Sequence, residues 1–253
     1  MHWLWRAAFA RIARNMNRSV RKNKHGQALG RKGLDTKQRL MDAARRLLKK
    51  HSPVATTAVS IAKEAKTSSA AFYIYFEDAR EILFALSEIA EADMASVHKI
   101  LDEPWNAEKF ELEHASRVVK AFAAVWDDHR EVLRYRNLEA DRGDPLFEET
   151  RLRIGLRLVK RFTDHIMEAH GNVPGFTPRH GMAEASVLVS AMERCAAIDP
   201  GLVERGVGRA AMYDALARII ARTVAGGLRR SAMRNDKPRA TRTSAVSKKV
   251  TNS

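Results

Sequence analysis

The chain has 253 residues, 45% of them apolar, and a formal net charge of +15. Its one cysteine, Cys195, excludes an intramolecular disulfide framework and points to a reducing compartment, and no Cys/His cluster has the spacing of a zinc site. No apolar run approaches the ~20 residues needed to span a bilayer, while the apolar content suffices for a real core in one large domain or two smaller ones.

The charge is zoned. Residues 1–51 hold 15 Lys/Arg and 2 Asp/Glu, residues 52–226 hold 22 and 27, and residues 227–253 hold 8 and 1. A uniformly basic body would suggest a histone-like or ribosomal protein. Basic ends on an acidic body suggest arms that find phosphates, or tails that only solubilise. Residues 1–33 are expected to be a disordered basic arm. Within it, Trp3, Leu4, Trp5, Ala7, Ala8, Phe9 and Ile12 also fit the apolar stripe of a basic amphipathic helix, the pattern of a membrane-surface helix or a transit peptide. Arg6 and Arg11 interrupt that stripe, which argues against a secretory signal. Met16 is an alternative start.

From there the periodicity is helical throughout. Asp35 and Gln38 have capping-box spacing, and Leu40, Ala43, Ala44, Leu47 and Leu48 follow at helical intervals, with Pro53 past the end. Ala58, Ile61, Ala62 and Ala65 mark a short helix that reaches a turn at Lys66-Thr67. A second short helix opens at Ser68-Ser69 and closes on Phe72-Tyr73-Ile74-Tyr75-Phe76. Asp78 and Glu81 have the spacing of another capping box, heading a long helix (Ile82, Leu83, Leu86, Ile89, Ala90, Met94, Val97, Leu101) that Pro104 stops. Helices are expected at about 106–127, 129–140, 146–169, 179–197 and 207–226, separated by Gly143-Asp144-Pro145, the loop 171–178 and Asp199-Pro200-Gly201. Residues 229–253 are expected to be a disordered basic tail. The fold class is therefore all-α, with about nine helices and no run of period two long enough for a strand.

Two short helices across a tight turn, at residues 57–76, have the form of a helix-turn-helix. Residues 36–83 resemble the DNA-binding domain of the TetR family of bacterial transcriptional regulators. The resemblance rests on Leu40 with Ala43-Ala44, Thr56-Thr57, Ile61-Ala62, Ser68 and Tyr73-Ile74-Tyr75-Phe76, in order and at the right spacing. Three positions depart from the family pattern: Lys66 stands at a turn position that is usually Gly, Ala70 replaces a Gly inside the second short helix, and Ala79, with Arg80 beside it, stands where Lys is common. The resemblance implies a helix-turn-helix domain at 34–78 and a helical effector-binding and dimerisation domain at 79–228.

The expected DNA contacts follow from that resemblance together with the chemistry of the side chains. Thr57 offers a hydroxyl and helix N-terminal amides to a phosphate. Lys66 adds a phosphate contact at the turn. Ser68 caps the recognition helix or touches DNA directly. Ser69, Ala70 and Ala71 form the tip that approaches base edges, where methyl contacts, water and DNA shape carry the readout. Tyr73 and Tyr75 are expected to clamp phosphates, one of them with the alternative of lying in the core, whereas Phe72 and Phe76 are expected in the core. Lys37, Arg39 and the arm residues Arg31 and Lys32 are expected to supply long-range attraction or to reach a neighbouring groove.

The partners implied are a palindromic double-stranded DNA operator, a second copy of the chain and a small-molecule effector. The dimer surface is expected on the last two helices, through Ala183, Ala185, Ala191, Ala210, Ala211, Ala215 and Ala217 with Met182, Val187, Leu188, Leu216 and Ile220. Phe84, Trp105, Phe122, Trp126, Phe147 and Phe162 are candidates to line an apolar effector pocket, against the plainer role of ordinary core. The function expected is a cytoplasmic repressor released by its effector, with no cofactor and no stable membrane association. The alternative is a nucleoid-type protein that binds DNA without regard to sequence. Enzyme signatures are weak: Glu111-x-x-His114 is one metal-type pair where helical-bundle sites need several, Gly206-x-Gly208 follows no strand, and no serine-nucleophile elbow or phosphate loop occurs.

Overall fold

A computed structural model of the chain describes residues 23–51, 55–107 and 109–225. Most of the expected basic arm (residues 1–22) and all of the expected basic tail lie outside these residues. The helices are α1 (Arg31–Lys50), α2 (Ala58–Glu64), α3 (Ser69–Tyr75), α4 (Ala79–Asp93), α5 (Ala95–Leu101), α6 (Leu112–Asp141), α7 (Pro145–His170), α8 (Pro178–Ala197), α9 (Pro200–Glu204) and α10 (Arg209–Thr223). The architecture is all-α, as the periodicity predicts, and no described helix is long and apolar enough to cross a membrane.

Some boundaries differ from expectation, each for a local reason. Helix α1 begins at Arg31 after Gly30, so Asp35 is not its N-cap. Asp35 lies inside the helix and pairs with Arg39 at 3.2 Å, while Gln38 donates to Asp42 rather than back to the helix start. Arg31 and Lys32, expected in the arm, thus belong to the first turn of α1. Asp78 does cap α4, accepting the Glu81 N–H at 2.8 Å, and the Glu81 carboxylate reaches back to the N–H of Glu77. The expected helix after Asp78 divides at Met94 into α4 and α5. The expected helices at 106–127 and 129–140 join as α6 across a kink at His129 (φ −120°, ψ 15°). The buried His129 ring there donates through Nε2 to Asp93 at 2.7 Å and accepts through Nδ1 from Arg45 at 3.4 Å. Those long-range partners hold a backbone break that local propensity does not encode.

Apolar side chains gather into two cores. The first joins Leu40, Ala44 and Leu47 of α1, Ile61 and Ala62 of α2, and Phe72 and Phe76, and it draws in Ile82, Leu83 and Leu86 from α4 and Val132 from α6. The second holds Ala90 of α4 and Met94 with Trp126, Phe162, Leu188 and Ile220 from the later helices. Helix α4 therefore serves both cores along one rod. Burying side chains of this size contributes about 1.5–3 kcal/mol each, so the two bodies share a rigid element that neither can release cheaply.

The α2–α3 turn is built from local bonds. Thr57 caps α2, its hydroxyl accepting the Ser60 N–H at 3.2 Å, while Ser60 Oγ accepts the Thr57 N–H at 2.9 Å. At the far end the Thr67 N–H bonds Ala62 O and the Lys66 N–H bonds Lys63 O, a Schellman closure. Its left-handed position falls on Lys66 (φ 55°). Ser68 then caps α3 by accepting the Ala71 N–H at 3.1 Å.

Two stability predictions follow from these local environments. Lys66→Gly relieves the left-handed strain by about 1 kcal/mol and raises Tm by about 2–4 °C, measured by calorimetry; an unchanged or lower Tm contradicts the strain. His98 is 5% exposed and its Nδ1 has no hydrogen-bond partner among the described residues. Burial, aided by Arg157, pushes its pKa down to about 4. The unfolded chain therefore takes up this proton first, and stability is lost as pH falls from about 6.5 towards 4. Urea titrations should find this group costing about 2 kcal/mol at pH 5 relative to pH 7.5, and His98→Gln should flatten that part of the profile.

Candidate nucleic-acid interface

Helix α3 has two unlike faces. Phe72 is fully buried and Phe76, its C-cap, is 2% exposed, the two rings 5.8 Å apart in the first core. The opposite face stands in solvent: Tyr73 is 45% exposed and Ile74 48%. Ser68 and Ala70 are exposed, and Ser69, Ala71 and Tyr75 are half-buried. The helix is thus anchored by two rings and presents small side chains at its N-terminal tip, which lets its backbone come close to a groove floor.

The expected contact residues do not all stand alike. Ser69, Ala70, Ala71 and Tyr73 share the rod with Ser68, whose oxygen is engaged as a cap. Tyr75 packs its ring against the first core, so of the two tyrosines it takes the core position. Thr57 and Lys66 flank the rod, both exposed. The Thr57 hydroxyl is engaged in the reciprocal cap with Ser60, a partnership that the sequence reading missed although Thr-x-x-Ser spacing was there to suggest it. Lys37 is a correction. It is 7% exposed, with its ammonium 5.2 Å over the Phe76 ring, and burial pushes its pKa down. It supports the ring that anchors α3 and does not stand out as a surface cation. Arg39 turns to Asp35 and to the Ala65 carbonyl at the end of α2.

Arg80, beside the Ala79 that stands where the family often has Lys, is committed elsewhere. Its guanidinium makes a two-pronged pair with Asp144 at 2.7 and 2.8 Å and lies over the Phe147 ring. Asp144 also caps α7, accepting the Leu146 N–H at 3.0 Å, and the Arg80 pair holds its carboxyl below the usual carboxylate range. One carboxylate thus ties the start of α4 to the start of α7. Asp144-Pro145 was legible as a break before a helix; its partner 64 residues away was not.

The six aromatics proposed for an effector pocket do not line one cavity. Trp105, Phe122, Trp126 and Phe162 are at most 6% exposed in the second core. Phe147 is fully buried apart from them, edge-on to Phe84 at 5.6 Å and to Tyr135 at 5.5 Å, beside the Arg80 clamp. The metal-type pair Glu111/His114 is likewise engaged in structure: the two side chains approach to 3.7 Å, and His114 bonds the Ile100 carbonyl and lies against Trp105 at 4.2 Å.

Comparison with known proteins agrees with this geometry. The family model for bacterial regulatory proteins of the tetR family matches residues 40–86, and that for the Tetracyclin repressor-like C-terminal domain matches residues 97–230. No curated protein matches the chain. Among solved structures, a fatty acid degradation regulator, FadR, from Bacillus halodurans is similar with a TM-score of 0.56 at 15% identity, over 80% of this chain and 99% of that one. A transcriptional regulator of the TetR/AcrR family from Thermobifida fusca YX-ER1 gives 0.52 at 16% identity, over 74% and 97%. At such identities the structures speak to the fold alone, whereas the two family models together span both cores. The chain is a member of the TetR family of regulators, with a helix-turn-helix DNA-binding domain followed by a helical C-terminal domain.

Proposed function

We propose that the chain acts as a homodimeric repressor that places two copies of α3 in major grooves of a palindromic operator and is released by a small-molecule effector in the cytoplasm. The observation that carries this is the division of α3: Phe72 and Phe76 fix it to the core while Ala70 and Tyr73 stand in solvent and Ser69 is half-buried. One such rod covers too few base pairs for specificity, and two related by a two-fold axis match a palindrome.

Surface exposure refines the proposed dimer face. Ala185, Leu188, Leu216, Ala217 and Ile220 are spent inside the chain's own second core. Met182, Val187 and Ile219 are 51%, 68% and 51% exposed, with Ala183, Ala210 and Ala211 also in solvent. Those outward residues of α8 and α10 are the surface proposed to meet a second copy. Helix α4 supports the proposed switch, because a ligand that repacks the second core acts on the same rod that completes the first. A coupling of about 1–3 kcal/mol is enough to change occupancy severalfold or more. A small apolar or amphipathic effector is proposed to enter among Trp105, Phe122, Trp126 and Phe162.

The alternative, sequence-independent binding through the basic ends, makes a different forecast. Titration against a duplex selected from a random pool and against a scrambled copy should separate them by at least ~10³-fold in affinity; equal affinities with a steep salt slope would favour the nucleoid-type reading. Tyr73→Phe should weaken binding about tenfold on every sequence without moving the preferred site, and a shifted preference in the same selection would make Tyr73 a base reader. Val187→Glu should convert the dimer to monomer in sedimentation velocity while the far-ultraviolet spectrum is kept. A dimer that survives the substitution moves the interface elsewhere.

A further inference from the structure

Helix α3 is held from a side that the two-helix motif does not supply. Residues 23–27 form a tight turn closed by Asn23, whose Oδ1 accepts the His25 N–H at 3.0 Å and the Gln27 N–H at 2.9 Å while its Nδ2 donates to Gln27 Oε1 at 2.7 Å. Two backbone bonds complete it, from the Gly26 N–H to Asn23 O and from the Asn23 N–H to Gln27 O, each 3.0 Å. The turn is tied to the C-terminal end of α3: the Lys24 N–H donates to the Ile74 carbonyl at 3.3 Å, and the Lys24 ammonium pairs with Glu77 at 3.2 Å. Residues 28–30 return the chain to α1, where a Cβ at Gly33 would stand 3.0 Å from Leu29 Cδ2, so the two segments lie in contact. The last carbonyls of a helix have no intrahelical donor, and here one of them is served by a segment that precedes α1.

The bond falls where the rings give no hold. Phe72 and Phe76 are one turn apart, so both rings leave α3 along one line, about which the helix can still roll. Ile74 lies about 200° around the cylinder from Phe72, on the solvent side, where it is 48% exposed. A bond to its carbonyl opposes the roll that the rings permit. Glu77 stands between α3 and the Asp78 cap of α4, so the ion pair sits at the joint of the two helices. A reading surface must be held within about 0.5 Å and 10–20° of its working geometry. We propose that the Asn23–Gln27 turn is a strap that sets the pitch of the recognition helix, with Asn23 and Lys24 as positioning residues for base discrimination. This rests on the DNA-binding function proposed above.

The test uses the duplex that the full chain selects from a random pool and a copy with one half-site base pair changed, a change that costs roughly 5–150-fold in affinity. Proline fits the second position of a β-turn, so Lys24→Pro keeps the turn and deletes the N–H, whereas Lys24→Met keeps the N–H and deletes the ion pair. Each full-length variant is titrated against both duplexes well below its Tm. Lys24→Pro and Asn23→Ala should cut the ratio of the two affinities by about fivefold or more, the low end of that range. They should also speed amide exchange at Phe76, whose N–H bonds the Phe72 carbonyl at 3.1 Å. Lys24→Met should keep the ratio within about twofold, since exposed ion pairs contribute little. An unchanged ratio in Lys24→Pro, with affinity lost equally on both duplexes, makes the turn a plain stabilising feature and overturns the inference while leaving the function proposed above intact. The same holds if Lys24→Met and Lys24→Pro lose affinity alike on both duplexes with a smaller salt slope, which makes Lys24 a phosphate contact. A full chain that selects no duplex removes both readings.

Discussion

The arrangement depends on two phenylalanines, Phe72 and Phe76, that hold a seven-residue helix by one side. So short a helix is marginal by itself in water. It persists because Ser68 caps its start, the two rings are sunk in a core shared with α1, α2 and α4, and Lys37 lies over the Phe76 ring. Tertiary packing thus supplies what length cannot, and the outer face carries small side chains at its tip with Tyr73 and Ile74 behind them. Every functional statement about the chain uses that division of labour.

Helix α4 carries the second constraint. Its first half closes the DNA-binding core, its second half enters the C-terminal core, and Arg80 at its start grips the carboxylate that caps α7. A packed rod with two attachments moves as a unit, so the two bodies are mechanically joined through few residues. The His129 kink adds a third tie, because its ring bridges Asp93 at the end of α4 and Arg45 on α1. These ties couple the packing of the C-terminal core to the position of α3, as the proposed effector switch requires.

Much of the fold was legible in the sequence. Periodicity located the helices, and the run from Thr56 to Phe76 announced the turn, the Ser68 cap and the buried rings, though not the Thr57–Ser60 cap. What was not legible depended on partners distant in the chain. Lys37 reads as a surface cation until Phe76 is placed beneath it, and nothing local to Arg80 announces Asp144, 64 residues away, as its partner. His129 reads as helix interior or loop with equal ease. The start of α1 was misplaced because Asp35 and Gln38 mimic a capping box, whereas the backbone had already become helical at Arg31. The aromatics of the C-terminal body gave no signal separating packing from ligand contact, since both uses demand the same apolar surface.

The account is tested most directly by asking which surface touches DNA. Ala70→Cys in a Cys195→Ser background, carrying a photoreactive group, would be irradiated on the duplex that the chain selects. The account predicts adducts at major-groove base edges at two positions related by the operator's two-fold axis. Adducts scattered along the duplex, or efficient cross-linking only from a label at Ser190 on α8, would contradict it.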